Sequence, residues 1–430
     1  MALHKYCDGL KRRDFIRVGA VAGLGLSMAN YAQLSQAGQV KNGKAKAVIY
    51  VRLGGGPTHM DTFNMKPDAP EEYRGQLKPI KTNVSGVEIS EKFPQLAKVA
   101  DKFAILRGVS HTLAAHEFGT KYMLTGNRPL PSLEYPSMGS VVAKELPAAP
   151  DMPPFVAVPN TPQGGGFLGL QYGAFSTNAT PRIGQEFAVR GIGLQNGMTM
   201  TDVSRREKLL ASVDHTFASI ESKSDVLTGL DEFSEQAYNM ISSKKAREAF
   251  DIGQEKAELR ARFGNDEVGQ SALLAVRLVE AGVSFITINS GNWDMHQDIY
   301  KRLGERVPPL DTALSALFAT LSERGLLDST LVMVAGEFGR TPKINQRGGR
   351  DHWPRAMFVL LGGGGVRGGQ VIGASDDKGQ GPANDAIAPD DVATSVFTAM
   401  GIDSHKEYHS NTGRPIMISR DGKQIRGLFA

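Results

Sequence analysis

The segment Leu331–Pro354, LVMVAGEFGRTPKINQRGGRDHWP, organises the rest of the chain. Its first residues, Leu331–Ala335, are a short apolar run that predicts a buried strand. Gly336 ends this run, and a polar cluster follows at once: Glu337, Arg340, Arg347, Arg350, Asp351 and His352. Ligands bind at the carboxyl ends of strands in open α/β sheets. The cluster therefore predicts either a functional site or a solvated loop with one satisfied histidine.

Three further apolar runs end in polar loops. The strand predicted at 46–53 is followed by three glycines and then by Thr58, His59 and Asp61. Glycines let a backbone turn tightly and let a ligand approach closely, although a triple glycine alone is a weak phosphate-loop signal.

A strand predicted at 103–107 precedes His111 and His116, and a helix from about His116 ends at Gly126. A strand predicted at 283–288 leads to Asp294, His296 and Asp298. Alternate residues of an extended segment point to one side, so this acid-x-His-x-acid pattern suits a divalent metal. For a lone histidine such as His116, a helix cap or a core position is the commoner role.

The second half of the chain alternates helices and strands. Helices are predicted at 267–281 and 307–324, strands at 331–335 and 355–361, and a last helix at 389–402. This order predicts a doubly wound, mostly parallel α/β sheet flanked by helices. A charged, helical block at about 202–263 predicts an insertion that docks beside the sheet or caps its edge.

The N-terminus has the three regions of an export signal. Lys11–Arg17 is basic and contains Arg12-Arg13, Val18–Ala29 is weakly apolar, and small residues lie around Ala37. This order predicts a twin-arginine signal peptide over 1–37, with the twin-arginine translocase as partner and a periplasmic or otherwise exported product. The apolar segment is too short and glycine-rich for a permanent membrane anchor. The alternative is a basic surface helix.

Removal of residues 1–37 changes the composition of the 430-residue chain. The formal net charge falls from +4 to +1, with 44 basic against 43 acidic residues. A near-neutral protein gives no electrostatic reason to expect a nucleic-acid partner. The single cysteine, Cys7, also leaves, so the remaining chain has no disulfide and no thiolate. Any metal must therefore bind histidine and carboxylate side chains.

The motifs resemble those of the DUF1501 family of exported proteins of unknown function. They are Gly55–Asp61, Trp293–His296, Gly336–Pro342 and Gly349–Pro354, and the resemblance spans about 45–427. That family in turn resembles the alkaline phosphatase and sulfatase superfamily, whose members bind two divalent metals and hydrolyse phosphate or sulfate esters.

The resemblance implies particular roles for site residues. The implied metal ligands are Asp61, Asp294, His296, Glu337 and His352. They suffice for one Zn²⁺, Ca²⁺ or Mn²⁺ site rather than two. Catalysis is assigned to His116 and Arg340, and substrate contacts to Thr58, His59, His111, Arg350 and Asp351. Arg340 and Arg350 either clamp an anionic ester or pair with Asp351 or Glu337.

Two positions depart from the superfamily pattern. His116 stands where a nucleophilic serine, threonine or modified cysteine is expected, and Phe338 stands where a metal-binding histidine is expected. Two hypotheses follow. The first is an exported metal-dependent hydrolase of phosphate or sulfate esters, including polysaccharide-derived ones, in which His116 is a ligand, a nucleophile or a general base. The alternative is a non-catalytic exported protein that binds a ligand or partner.

Overall fold

An eight-stranded sheet forms the centre of the molecule. The computed structural model describes residues 43–429 except 148, 150, 186, 193–204, 206–238 and 410–412. The strands are β1 (Ala47–Leu53), β2 (Pro79–Lys81), β3 (Glu88–Ser90), β4 (Phe103–Val109), β5 (Phe155–Val158), β6 (Phe175–Ser176), β7 (Phe285–Ser290), β8 (Thr330–Ala335), β9 (Gly339–Arg340), β10 (His352–Trp353), β11 (Met357–Gly362), β12 (Gln370–Ile372), β13 (Glu407–His409) and β14 (Pro415–Met417).

The helices lie on both faces of the sheet. The α-helices are α1 (Glu71–Arg74), α2 (His116–Thr125), α3 (Met138–Glu145), α4 (Lys244–Phe250), α5 (Ala257–Arg262), α6 (Glu267–Glu280), α7 (Ile299–Glu323) and α8 (Pro389–Met400). Short 3₁₀ segments are Leu96–Lys102, Gly166–Leu168, Leu170–Tyr172, Ile252–Gln254 and Leu327–Ser329. Among the described residues, no helix combines the length and the apolar character needed to span a bilayer.

The strand order in the large sheet is β12-β4-β11-β8-β1-β7-β5-β6. β11 pairs antiparallel with both β8 and β4, and the other pairs in this sheet are parallel. The predicted mostly parallel α/β sheet is thus confirmed. β11 runs the other way because residues 336–356, which connect it to β8, contain no crossover helix, and a parallel neighbour requires such a crossover.

Alternate residues of the strands build two cores. In β1, Val48 and Tyr50 face the core that contains α2, α3 and α8, whereas Ile49 and Val51 face the core that contains α6 and α7. This two-residue period follows from the pleat of a strand. With both faces covered, β1 is apolar along almost its whole length, as strands of parallel sheets are.

The predicted strands at 46–53, 103–107, 283–288, 331–335 and 355–361 are confirmed, with ends shifted by a few residues. Gly126 and Gly401 end α2 and α8 in the left-handed region, at φ of 65° and 75°. The prediction for 307–324 was wrong at its start, because α7 begins at Ile299 and contains Pro308 and Pro309. Proline is most common in the first turn of a helix, whereas both prolines lie inside α7 here.

Two predicted segments lie wholly or largely outside the described residues. The predicted signal peptide, residues 1–37, lies entirely outside them, and so does most of the predicted helical insertion at 202–263. In the described part of that insertion, α4 and α5 are short helices.

Candidate metal centre

Four loops meet at one edge of the sheet. β1, β4, β7 and β8 run parallel, so their carboxyl ends lie at the same edge. The loops that follow these strands carry Asp61, His116, Asp294 and Glu337. His352 joins them because β10 pairs antiparallel with β9, with His352 opposite Arg340. Strand direction therefore brings together residues that are separated by up to about three hundred positions in the chain.

A group of four side chains, hereafter the histidine cluster, lies open at this edge: His116, Asp294, His296 and His352. Asp294 Oδ1 lies 3.0 Å from His296 Nε2 and 3.2 Å from His352 Nε2, and these two nitrogens are 3.0 Å apart. His116 Nε2 lies 3.4 Å from Asp294 Oδ2. One ligand atom from each of His116, Asp294 and His352 lies within 4.8 Å of the others. All four side chains are partly exposed.

The other ring nitrogen of each histidine has a fixed partner. His296 Nδ1 lies 2.5 Å from Asp351 Oδ1, His352 Nδ1 lies 2.8 Å from the Ala114 carbonyl, and His116 Nδ1 lies 2.7 Å from Glu337 Oε1. A carboxylate or carbonyl oxygen only accepts, so each Nδ1–H must donate. In the neutral imidazole, each Nε2 is then an unprotonated acceptor.

Acceptor atoms therefore face one another in the histidine cluster. Two Nε2 lone pairs and a carboxylate oxygen within 3.2 Å of each other repel unless a proton or a metal ion lies among them. Metal-binding histidines usually donate the remaining N–H to a carboxylate or a backbone carbonyl, as these three do. The donor set of nitrogens and one carboxylate fits Zn²⁺ or Mn²⁺ better than Ca²⁺, which prefers oxygen.

The ionisation states of Asp294 and His352 also suit metal binding. Burial disfavours the charged form of Asp294, but the hydrogen bond and charge of Arg340, with smaller contributions from His352 and His296, lower the pKa of the Asp294 carboxyl to about 2. Burial is the largest cause that lowers the pKa of His352, and the nearby positive charge of Arg340 adds to it. An ionised carboxylate beside a neutral imidazole is the state that metal ligation requires.

Phe338 forms an apolar floor under the cluster. Its ring is fully buried, and its centroid lies 4.5 Å from that of His352 and 5.0 Å from that of His116. Phe338 thus packs against the cluster without contributing a ligand atom.

Behind this floor lies a second polar group, hereafter the arginine layer: Asp61, Arg340 and Arg350. Arg350 Nε donates to Asp61 Oδ2 at 2.8 Å, and the rest of its guanidinium donates to the carbonyls of Tyr73, Thr341 and Pro342. Thr58 Oγ1 also donates to Asp61 Oδ2, at 2.7 Å. The Asp61 carboxylate therefore accepts hydrogen bonds from Arg350 and Thr58, and it does not join the histidine cluster.

Arg340 is likewise enclosed by acceptors of the protein. Its guanidinium donates to the carbonyls of Gly55, Gly56 and Arg350 and to Asp294 Oδ1. Both arginines have a relative exposure of 0%. The expectation that they clamp an anionic ester is not supported, since neither guanidinium faces solvent. Their carboxylate partners are Asp294 and Asp61 rather than Asp351 and Glu337.

Two predicted substrate-binding histidines are also structural in this arrangement. His59 is buried, and its Nε2 donates to the Gly379 carbonyl at 2.9 Å. Burial lowers the pKa of His59 to about 4, more than its backbone hydrogen bond raises it. His111 Nε2 donates to the Glu337 carbonyl at 2.8 Å, and its Nδ1 accepts from Leu113 N. Neither His59 nor His111 has a hydrogen-bond partner in the histidine cluster.

Glu337 supports the cluster from below. Its Oε1 accepts from His116 Nδ1 and from the backbone N–H of Gly55 at 2.8 Å. Its Oε2 is buried without a hydrogen bond and lies 3.6 Å from Arg52 Nη2. Arg52 in turn donates to Asn289 and Thr120, both at 2.8 Å. Glu337 thus orients His116 and does not itself join the cluster.

The sequence prediction missed two members of this environment. Arg52 is the one charge in the apolar run AVIYVRL, and that exception could have drawn attention to it. The Ala114 carbonyl fixes the His352 ring, and it could not have been predicted because every residue type carries a backbone carbonyl. Of the predicted residues, the structure brings His116, Asp294, His296 and His352 together, with Glu337 and Asp351 as their supports.

Fold and cluster define an α/β protein with a histidine-rich candidate metal centre at the carboxyl edge of its sheet. A family model described as "Protein of unknown function (DUF1501)" matches residues 45–429. The chain therefore belongs to the DUF1501 family. Among functionally curated proteins, no sequence matches it.

Solved structures similar to the chain include sulfatases and phosphatases. The lipoteichoic acid synthase LtaP from Listeria monocytogenes is 11% identical, with 91% of this chain and 80% of that chain covered and a TM-score of 0.38. A sulfatase from Pseudoalteromonas sp. is 12% identical, with 86% of this chain and 70% of that chain covered and a TM-score of 0.35. The alkaline phosphatase from the Antarctic bacterium TAB5 is 12% identical, with 83% of this chain and 98% of that chain covered and a TM-score of 0.36. Likenesses this low assign neither a reaction nor a substrate.

Proposed function

We propose that this protein is an exported, metal-dependent hydrolase of phosphate or sulfate esters. The observation that carries the proposal is the convergence of the Nε2 atoms of three histidines on Asp294, with each Nδ1 fixed by a hydrogen bond on the opposite side of its ring. Asp294, His296 and His352 would hold one divalent metal. When bound, such a metal supplies Lewis acidity toward an anionic ester oxygen.

The residues of the chain divide the remaining work. Arg340 and Asp351 are positioning residues, because they fix Asp294 and His296 from behind. His116 meets Asp294 through the other carboxylate oxygen, Oδ2, and its side chain is 40% exposed. This imidazole takes the proton from the attacking water at Nε2. The buried carboxylate of Glu337 stabilises the imidazolium that results, as a carboxylate does behind a catalytic histidine.

The substrate class follows from where positive charge is available. Both arginines nearest the cluster are buried and paired, so an anionic ester would meet its positive charge at the metal. Export rests on the twin-arginine pattern of residues 1–37. On that ground, a periplasmic or otherwise exported location and the twin-arginine translocase as partner are part of the proposal.

One observation favours a second function, that of a non-catalytic metal or ligand-binding protein. Phe338 fills the floor between His116 and His352 with an apolar ring. A centre with one metal, and with no hydroxyl among the described side chains of its cluster, suits stable binding as well as turnover.

One experiment tests the proposal. The purified protein is stripped with a chelator and titrated with Zn²⁺, Mn²⁺ or Ca²⁺, with metal content, thermal unfolding and hydrolysis of 4-nitrophenyl phosphate and sulfate as readouts. We expect one bound equivalent, a raised Tm and turnover in the wild type, and loss of all three in His352→Ala. His405→Ala, a change at an exposed histidine, is the matched control.

Three outcomes separate the hypotheses. A wild-type protein that neither binds nor is stabilised by any of these metals contradicts both the metal centre and the hydrolase. Bound metal without turnover of either ester favours the binding protein. Turnover that His116→Ala leaves unchanged removes His116 from the reaction while the metal centre stands.

A further inference from the structure

A cavity of about 460 Å³ lies where three neighbouring parallel strands end. Residues 288–290 at the end of β7, Pro159 after β5 and residues 178–180 after β6 all line it. The carboxyl ends of strands are where ligands bind in open α/β sheets. The volume lies within the range of about 300–1,000 Å³ that small-molecule pockets occupy, so position and size both fit a ligand site.

Two helices supply the remaining walls of the cavity. In α6, Ser271 comes four positions after Glu267 and three after Val268, so these three side chains share one face of the helix, and all three line the cavity. Arg306 and Pro309 of α7, which are also three positions apart, line it as well. The cavity is therefore bounded by one face of each helix and by the ends of three strands.

One buried hydroxyl in this lining has no hydrogen-bond partner. Ser271 is only 1% exposed, and its Oγ makes no hydrogen bond with any residue that the structure describes. Within the same described part of the chain, the side chains of Thr180, Ser290 and Asn292 are likewise without a hydrogen bond. Buried polar groups are normally paired, because leaving one unpaired costs free energy. These groups are therefore available to a ligand.

The charges in the lining cancel. Arg182 pairs with Glu267, and the other two charged residues are Arg306 and Asp266, which caps the N-terminus of α6. Two arginines against two carboxylates leave a formal charge of zero. The cavity therefore favours a neutral ligand over one with a strong charge of either sign.

The uncharged part of the lining indicates the chemical class of that ligand. Four asparagines and three hydroxyl side chains line the cavity, and amide and hydroxyl groups can both donate and accept hydrogen bonds. None of the described lining residues is aromatic, so a flat base has no ring on which to stack. Pro159, Val268, Ile288 and Pro309 add apolar surface for aliphatic C–H groups. A molecule with many hydroxyls on an aliphatic ring is a sugar.

We infer that the cavity lined by Ser271, Thr180 and Asn292 is a second ligand site, which binds a small neutral sugar. None of the four residues of the histidine cluster lines the cavity, so this site is separate from the candidate metal centre. The inference does not depend on the proposed hydrolase activity.

The test measures sugar binding to the full chain with chelator present, by saturation-transfer NMR titration. The probes are the neutral sugars D-glucose, D-galactose and N-acetyl-D-glucosamine and the charged analogues D-glucosamine and D-glucuronate. We expect the wild type to bind a neutral sugar more tightly than either charged analogue. Ser271→Ala should raise the Kd of that sugar about fivefold, as the loss of one hydrogen bond does. Thr180→Trp, which places a large ring in the cavity, should abolish binding.

Ser315→Ala is the matched control, because Ser315 is a half-buried serine of α7 outside the cavity. It should bind the sugar as the wild type does. Since the Ser271 hydroxyl has no described partner to lose, Ser271→Ala should also keep the Tm of the wild type, which thermal unfolding checks. The inference is overturned if no neutral sugar binds, if a charged analogue binds more tightly, or if Ser271→Ala and Ser315→Ala have the same Kd.

Discussion

The histidine cluster and the arginine layer lie next to each other at the carboxyl edge of the sheet and share the loop after β8, yet they differ in burial and in hydrogen bonding. In the arginine layer, each guanidinium nitrogen of Arg340 and Arg350 donates to an acceptor of the protein, and both side chains are fully buried. In the histidine cluster, Nε2 acceptors and a carboxylate face one another and remain partly exposed.

The difference between these two groups shows how a ligand-binding site is distinguished from the buried residues that hold its loops in place. A buried charge must be paired, because an unpaired one costs several kcal/mol. The arginine layer therefore closes and holds the loops in position. Acceptors that face one another persist only where solvent, a proton or a metal can reach them. Charged residues after a strand thus mark a site region, and their hydrogen-bond partners decide which of them face a ligand.

The largest expected effect comes from opening the arginine layer. Arg350→Ala leaves Asp61 as an uncompensated buried carboxylate, and we expect it to lower the free energy of unfolding by about 3–5 kcal/mol. Arg347→Ala, at an exposed arginine in the same loop, should change it by less than about 0.5 kcal/mol. Urea unfolding measures both. Equal stability of the two variants would show that the layer does not hold the loops.

A smaller effect concerns the buried His59. Because burial lowers its pKa from 6.5 to about 4 in the folded protein, the unfolded chain binds more protons between these values, and stability falls as pH falls. The expected loss between pH 7 and pH 5 is about 2 kcal/mol. His59→Gln should remove this slope in urea unfolding at the two pH values. The exposed His405→Gln should retain it, and a slope unchanged in both variants would contradict the assignment.

The smallest effect concerns the support of the histidine cluster. Asp351→Asn keeps an acceptor for His296 Nδ1 but removes its charge, and we expect metal affinity to fall about tenfold, as it does when an outer-shell carboxylate is lost. Titration calorimetry with Zn²⁺ measures the change. Asp298→Asn, at an exposed acid of the loop that carries His296, is the control. Identical affinities for the two variants would mean that Asp351 does not orient His296.

How much the sequence could predict differs between fold and site. The apolar strands and the glycine helix ends were predictable, because period and capping are local properties. The start of α7 was not, since Pro308 and Pro309 lie inside a helix that packing on the sheet maintains. In the site, the clustering of Asp294, His296 and His352 was predictable from strand ends. The enclosure of Asp61, Arg340 and Arg350 was not, because burial depends on how the loops stack.

The sequence by itself determined the class of the sheet, the edge at which its polar loops meet, and the absence of any cysteine beyond residue 7. Only the tertiary structure decided which polar residues remain open. It placed the Ala114 carbonyl behind His352, Glu337 behind His116 and Phe338 beneath both. The physical reason is that a donor or acceptor is assigned by its partner in space, and partners more than two hundred positions apart are chosen by packing.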